Sequence, residues 1–150
     1  MKKNKIKYPR KSKSSHKILE DECDRIWAEL IKAMAGYKSE ISGKLGKQIG
    51  GEHILNAHHL RHKPNYRLRY DLEGGVCCTN GEHQFGFHNP KLKDKYEDLI
   101  VRNPYRFARN RRPGLLEYLD SLKWQSGVTR LQDVYVYLSN ELKRFDARKI

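Results

Sequence analysis

Apolar positions along the chain fall into four segments with a helical period and two short segments that read as strands. Leu19, Cys23, Ile26, Trp27, Leu30, Ile31 and Met34 recur at three- and four-residue intervals, which places them on one helix face. Glu20, Asp21 and Glu22 lie near the start of this stripe, where the helix dipole favours acids, and Gly36 ends it. Residues 18–36 therefore read as an amphipathic packing helix. Residues 37–51, rich in Gly, Ser and Lys, read as turns. Residues 53–60 then form a candidate strand, 61–70 a basic loop, and Gly75–Cys78 a second short strand. A polar turn at Thr79–Glu82 leads into helical spacing from about Gly81. Leu92, Tyr96, Leu99 and Ile100 predict a helix that stops near Asn103-Pro104. Pro113 opens the next, with Leu115, Leu116, Leu119 and Leu122 on its apolar face and Gly127 at its end. Thr129-Arg-Leu-Gln132 fits a capping box for a last helix carrying Leu131, Val134, Tyr135, Leu138, Leu142 and Phe145. Tyr135 and Tyr137 read there as core. There is no internal repeat and no sign of a second domain.

Charge adds a partner to this outline. The 150 residues carry 31 Lys or Arg against 18 Asp or Glu, a formal net charge of +13. Eight of those cations lie in residues 1–17 with no acid among them, leaving +5 for the rest. That segment buries too little to offset its chain entropy and reads as a disordered arm, one that tracks a phosphate backbone or is merely solvated. Its candidate contacts are Lys2, Lys3, Lys5, Lys7, Arg10, Lys11 and Lys13. Two further basic clusters favour the first reading. Arg61, Lys63, Arg67 and Arg69 share one loop, and Arg102, Arg106, Arg109, Arg111 and Arg112 share an acid-free stretch. Tyr66, Tyr105 and Phe107 are interleaved with them and offer flat surfaces to sugars or bases. No apolar run approaches the ~20 residues that cross a bilayer, and none follows the basic start as a secretory signal would. Three cysteines, Cys23, Cys77 and Cys78, make no disulfide framework. A soluble, cytoplasmic protein with a polyanionic partner is expected.

Histidines concentrate between His53 and His88. His58 and His59 end the first predicted strand, and adjacent strand residues point to opposite faces, so the two cannot do the same job there. Phosphodiester hydrolysis needs two things: a cation on the phosphate and leaving oxygen, and a base for the attacking water. Neutral imidazole serves as a ligand or as a base with a pKa near 6.5. His53, His62 and His16 carry the plainer readings of a strand hydrogen bond, a solvated or phosphate-touching side chain, and a tail residue.

The run AHHLRHKPNYRLRYDLEGGVCCTNGEHQFGFHNP, Ala57 to Pro90, resembles the HNH endonucleases of the ββα-metal superfamily, in their phage and bacterial branch. The resemblance spans about residues 38–100. It implies an α+β fold with a small ββα-metal core over 37–103. A basic arm (1–17) and an N-terminal helix (18–36) would precede that core, and a C-terminal helical extension (104–150) would follow it. It implies that His58 is a metal ligand, His59 the general base, His83 the other main ligand and His88 a third. The divalent ion would be Mg or Mn, with Zn as the alternative. His83 and His88 are five residues apart, not ideal for one regular helical face, though a turn at Gly86 could bring them together. Two departures stand out. The family's central Asn, which pins the loop carrying the base, falls here at Gly74 or Gly75, leaving Asn65 or Asn80 to supply the bond. The first CxxC pair of zinc-bearing members reads Ser39-Glu-Ile-Ser42, and hydroxyls are poor zinc ligands, so a four-cysteine site is lost.

These readings favour a metal-dependent endonuclease acting on duplex DNA, phage- or mobile-element-encoded. A non-catalytic nucleic-acid-binding module that keeps the ββα shape is the alternative. An RNA-associated basic protein explains the charge but not the histidines. Asn56 shares the His58 side of its strand, as a supporting residue, and Arg67 and Arg69 either clamp the scissile phosphate or pair with Asp71.

Overall fold

The computed structural model describes residues 13–61, 65–102, 109, 113–125 and 129–147. Helix α1 (Ser15–Met34) begins at Ser14, whose side chain accepts a hydrogen bond from the Lys17 amide. This start lies three residues earlier than the stripe predicts, so Glu20–Glu22 fall in the second turn and cap nothing. Gly36, at φ +65°, releases the chain as expected. Two bridges, Lys38 to Leu45 and Gly46 to His53, and a short 3₁₀ turn at Lys47–Ile49 organise the segment read as turns. Strand β1 (Leu55–His59) then pairs antiparallel with β2 (Gly75–Thr79), His58 opposite Val76 and His59 opposite Gly75. Between them the basic loop contains a turn the sequence reading passes over, α2 (Tyr66–Arg69). After β2 come α3 (Asn80–Glu82), a π-helical turn (His83–Phe87), α4 (Lys93–Arg102), α5 (Leu115–Leu122) and α6 (Leu131–Ala147).

Alternation along the two strands divides the interior into two cores. Leu55 and Cys77 face α1, joining Cys23, Ile26, Trp27, Leu30 and Ile31 of α1 and Leu131, Val134 and Leu138 of α6. Val76 and Cys78 face the other way, onto Phe87, Ile100, Leu115, Leu119 and Leu122. The terminal helices are thus not appendages: α1 and α6 close one face of the hairpin, and α4 and α5 close the other. The result is a mixed α+β fold around a two-stranded sheet. Tyr135 and Tyr137 correct the prediction that they are core. The 131, 134, 138 stripe meets α1, which rotates both tyrosines outward to 37% and 50% exposure. Among the described residues no helix is long and apolar enough to cross a membrane.

Gly75 fixes how closely β2 approaches α1. A Cβ there would stand 2.4 Å from Ile31 Cδ1 and 2.7 Å from Trp27 Cζ2, so no side chain fits opposite His59. Of the two glycines where an asparagine is expected, Gly75 is thus closed to any side chain, whereas a Cβ at Gly74 would come no nearer than 3.3 Å to Leu119.

Candidate metal centre

His58 leaves β1 on the side of the second core, where its ring stacks on Phe87 with centroids 4.3 Å apart. It is buried, yet among the described residues neither ring nitrogen has a hydrogen-bond partner. Asn56, expected to support it, instead donates to Asn80 Oδ1 at 3.0 Å and ties β1 to the start of α3.

The five-residue interval between His83 and His88 is resolved by the π turn. Its i to i+5 backbone bond, from the His88 amide to the His83 carbonyl at 3.2 Å, closes one wide turn and stacks the two side chains on the same side. Gly86 sits within that turn against the Tyr96 ring, where any side chain would overlap it. His83 and His88 consequently meet through their Nε2 atoms at 3.0 Å. One ligand nitrogen from each of His58, His83 and His88 lies within 4.8 Å of the others, a group that could hold a metal ion. Burial, followed by the neighbouring His83 and His88, pushes the His58 pKa down to about 3. Burial and His88 lower that of His83 as well. Both are neutral imidazoles at neutral pH, the form that coordinates. An unsatisfied buried imidazole facing two convergent imidazoles suits a borderline divalent cation with nitrogen ligands.

His59 leaves β1 toward α1. Its ring lies on Trp27, centroids 4.0 Å apart and planes 8° from parallel, and its Nε2 meets the Arg69 carbonyl at 2.9 Å. Because a carbonyl only accepts, Nε2 carries the proton and Nδ1 is the basic nitrogen. Both histidines nevertheless open onto one cleft of about 760 Å3, which also bears Trp27, Arg61, His83, His88 and Lys93.

Asn65 ties α2 to the end of α5. Its Oδ1 caps α2 by accepting from the Leu68 amide at 2.8 Å, and its Nδ2 donates to the Leu122 carbonyl at 3.0 Å. The helix so fixed ends in Arg69, whose carbonyl holds His59. Arg69 itself forks onto Asp24, with Nη2 at 2.6 Å and Nε at 3.0 Å, and does not pair with Asp71.

Other expected phosphate contacts are placed as follows. Arg61 bonds Glu97 and Asp120. Arg109 bonds Glu40 and the Gly75 carbonyl, the latter at 2.6 Å. Arg67 is exposed on α2, and Lys13 pairs with Asp21 on α1. Lys2, Lys3, Lys5, Lys7, Arg10, Lys11, Lys63, Arg111 and Arg112 lie outside the described residues.

Ser39 and Ser42 enclose the carboxylate of Glu82. Both hydroxyls donate to it, Ser42 Oγ at 2.9 Å, and the Thr79 amide adds a third bond at 3.0 Å. Thr79-Asn-Gly-Glu82 repeats the spacing of Ser39-Glu-Ile-Ser42, a signal the sequence reading overlooked. Nothing in the sequence marks Trp27 or Lys93 as a cleft residue, since the Trp27 stripe reads as packing and a lone lysine has no pattern.

No protein-family model matches the chain, and neither does any curated protein or solved structure.

Proposed function

We propose that the protein is a metal-dependent phosphodiesterase of the HNH type that cleaves duplex DNA. One observation carries this reading: a three-imidazole cluster that could hold a cation and a separately anchored histidine, His59, share a cleft. His58, His83 and His88 would hold the ion. A divalent cation bound there supplies charge neutralisation on the phosphate and the departing oxygen.

The rest is done by the chain. His59, oriented by Trp27 and by donation to the Arg69 carbonyl, accepts a water proton at Nδ1. The water oxygen bonds phosphorus, the P–O bond to the 3′ oxygen breaks, and that oxygen takes a proton from solvent. A second imidazolium beside the ion would be unfavourable, so the neutrality of His58 and His83 keeps the site ready for its cation. The net charge of +13 supports a polyanionic substrate and adds no sequence preference.

Incubating the protein with supercoiled plasmid and Mg, Mn or Zn tests the proposal. Nicked or linear product that EDTA abolishes is expected. Plasmid binding without cleavage under every metal would instead favour a non-catalytic nucleic-acid-binding module.

A further inference from the structure

Beyond the histidines the cleft continues. Leu60, Arg61 and Lys93 line both the histidine cleft and a neighbouring hollow that runs on to Asp120 and Lys123. Arg61 follows His59 by two residues and Lys93 follows His88 by five, so the segments that carry the histidines also carry these cations.

Their positions are set by one buried acid. Glu97 is 6% exposed, and both its oxygens accept from Arg61 Nη1 at 3.2 Å while Lys93 Nζ lies 3.7 Å away. Arg61 Nε donates to Asp120 Oδ1 at 2.8 Å and Nη1 also reaches the Leu60 carbonyl. Among the described residues nothing engages Arg61 Nη2. Lys93 is half exposed and keeps donors beyond its ion pair with Glu97. A guanidinium held on two edges with an unspent third nitrogen, beside an accessible ammonium, has the donor geometry a directional anion receptor needs.

We infer that Arg61 and Lys93 form a second anion subsite, which takes a backbone phosphate next to the one at the histidines. Glu97 is its positioning residue. The inference rests on the proposed phosphodiesterase reading and adds a contact to the neighbouring phosphate, which a duplex offers and an isolated diester lacks. Asp120, at the open rim, gives up or shares Arg61 when the phosphate arrives.

Two substrates separate the subsite from the chemistry. Duplex DNA offers neighbouring phosphates, and bis(p-nitrophenyl) phosphate offers a single diester. Lys93→Ala should lower the ratio of duplex to diester kcat/KM about tenfold, the loss of one charge-assisted contact. Arg61→Lys, which keeps the charge but loses Nη2, should lower it in the same direction. Lys143→Ala, an equal charge removal on exposed α6, should leave the ratio unchanged. An unchanged ratio in Lys93→Ala, or an equal fall in Lys143→Ala, overturns the subsite. If the wild type hydrolyses neither substrate, the phosphodiesterase reading fails. The subsite is then decided by duplex binding in EDTA. The slope of log affinity against log salt should be shallower by about 0.9 in Lys93→Ala than in Lys143→Ala, and equal slopes overturn it.

Discussion

The His59 ring lies flat on the Trp27 indole at 4.0 Å, and Gly75 directly opposite His59 leaves room for that contact. Trp27 in turn donates from Nε1 to the Asp71 carbonyl at 3.1 Å, which keeps the platform from rotating. A buried tryptophan thus links the α1 core to the proposed base.

Trp27→Phe keeps an aromatic surface and should retain most activity. Trp27→Leu removes it, and single-turnover cleavage should fall on the order of tenfold to a hundredfold through misplacement of His59. Stability should fall as well, so the comparison is made at a temperature where circular dichroism shows both variants folded. Equal rates for the two variants would show that the stack does not orient the base.

Removal of His58, His83 or His88 takes a nitrogen from the candidate metal centre. Each alanine variant should weaken Mn or Zn affinity in calorimetry by more than the roughly 10–100-fold typical of outer partners. His59→Ala should leave metal affinity near wild type, because its ring faces α1. A variant with undiminished metal binding removes that histidine from the set.

Much of this architecture is legible in the chain. The α1 stripe, both strands, the α5 face and the 131, 134, 138 stripe of α6 follow from periodicity, because each buries one side against a neighbour. The π turn is not legible, since a five-residue histidine interval fits no regular helix until Gly86 packs under Tyr96. The separate surroundings of His58 and His59 follow from strand alternation, yet their shared cleft depends on how α2 and the π turn fold back over the strand end. The partners of Arg61, Arg69 and Arg109 were hidden for a different reason. Glu97, Asp24 and Glu40 lie 36, 45 and 69 residues away in sequence, beyond any local pattern.

The hydrogen-bonded knot of Ser39, Ser42, Thr79 and Glu82 ties the segment before β1 to α3. Glu82→Ala strands both hydroxyls and the Thr79 amide, and should cost about 1–3 kcal/mol in urea denaturation. Elemental analysis should find no zinc held at this knot. Stoichiometric zinc that survives loss of both His58 and His83 would contradict the assignment.

Deleting residues 1–13 removes Lys2, Lys3, Lys5, Lys7, Arg10, Lys11 and Lys13 while leaving Ser14 to cap α1. The truncated protein should fold, bind duplex DNA more weakly at moderate salt, and lose about 0.9 from its salt slope per phosphate contact given up. Cleavage of bound DNA at saturating protein should persist. Unchanged affinity and slope would make the arm a solvated tail.

The central claim is that His59 is the base of a metal-dependent phosphodiesterase, and single-turnover cleavage by His59→Ala tests it most directly. With saturating protein, duplex DNA and the most activating metal, the variant should bind DNA as the wild type does yet cleave about 10²–10⁴-fold more slowly. Cleavage at the wild-type rate by a folded, metal-loaded His59→Ala protein would contradict the account.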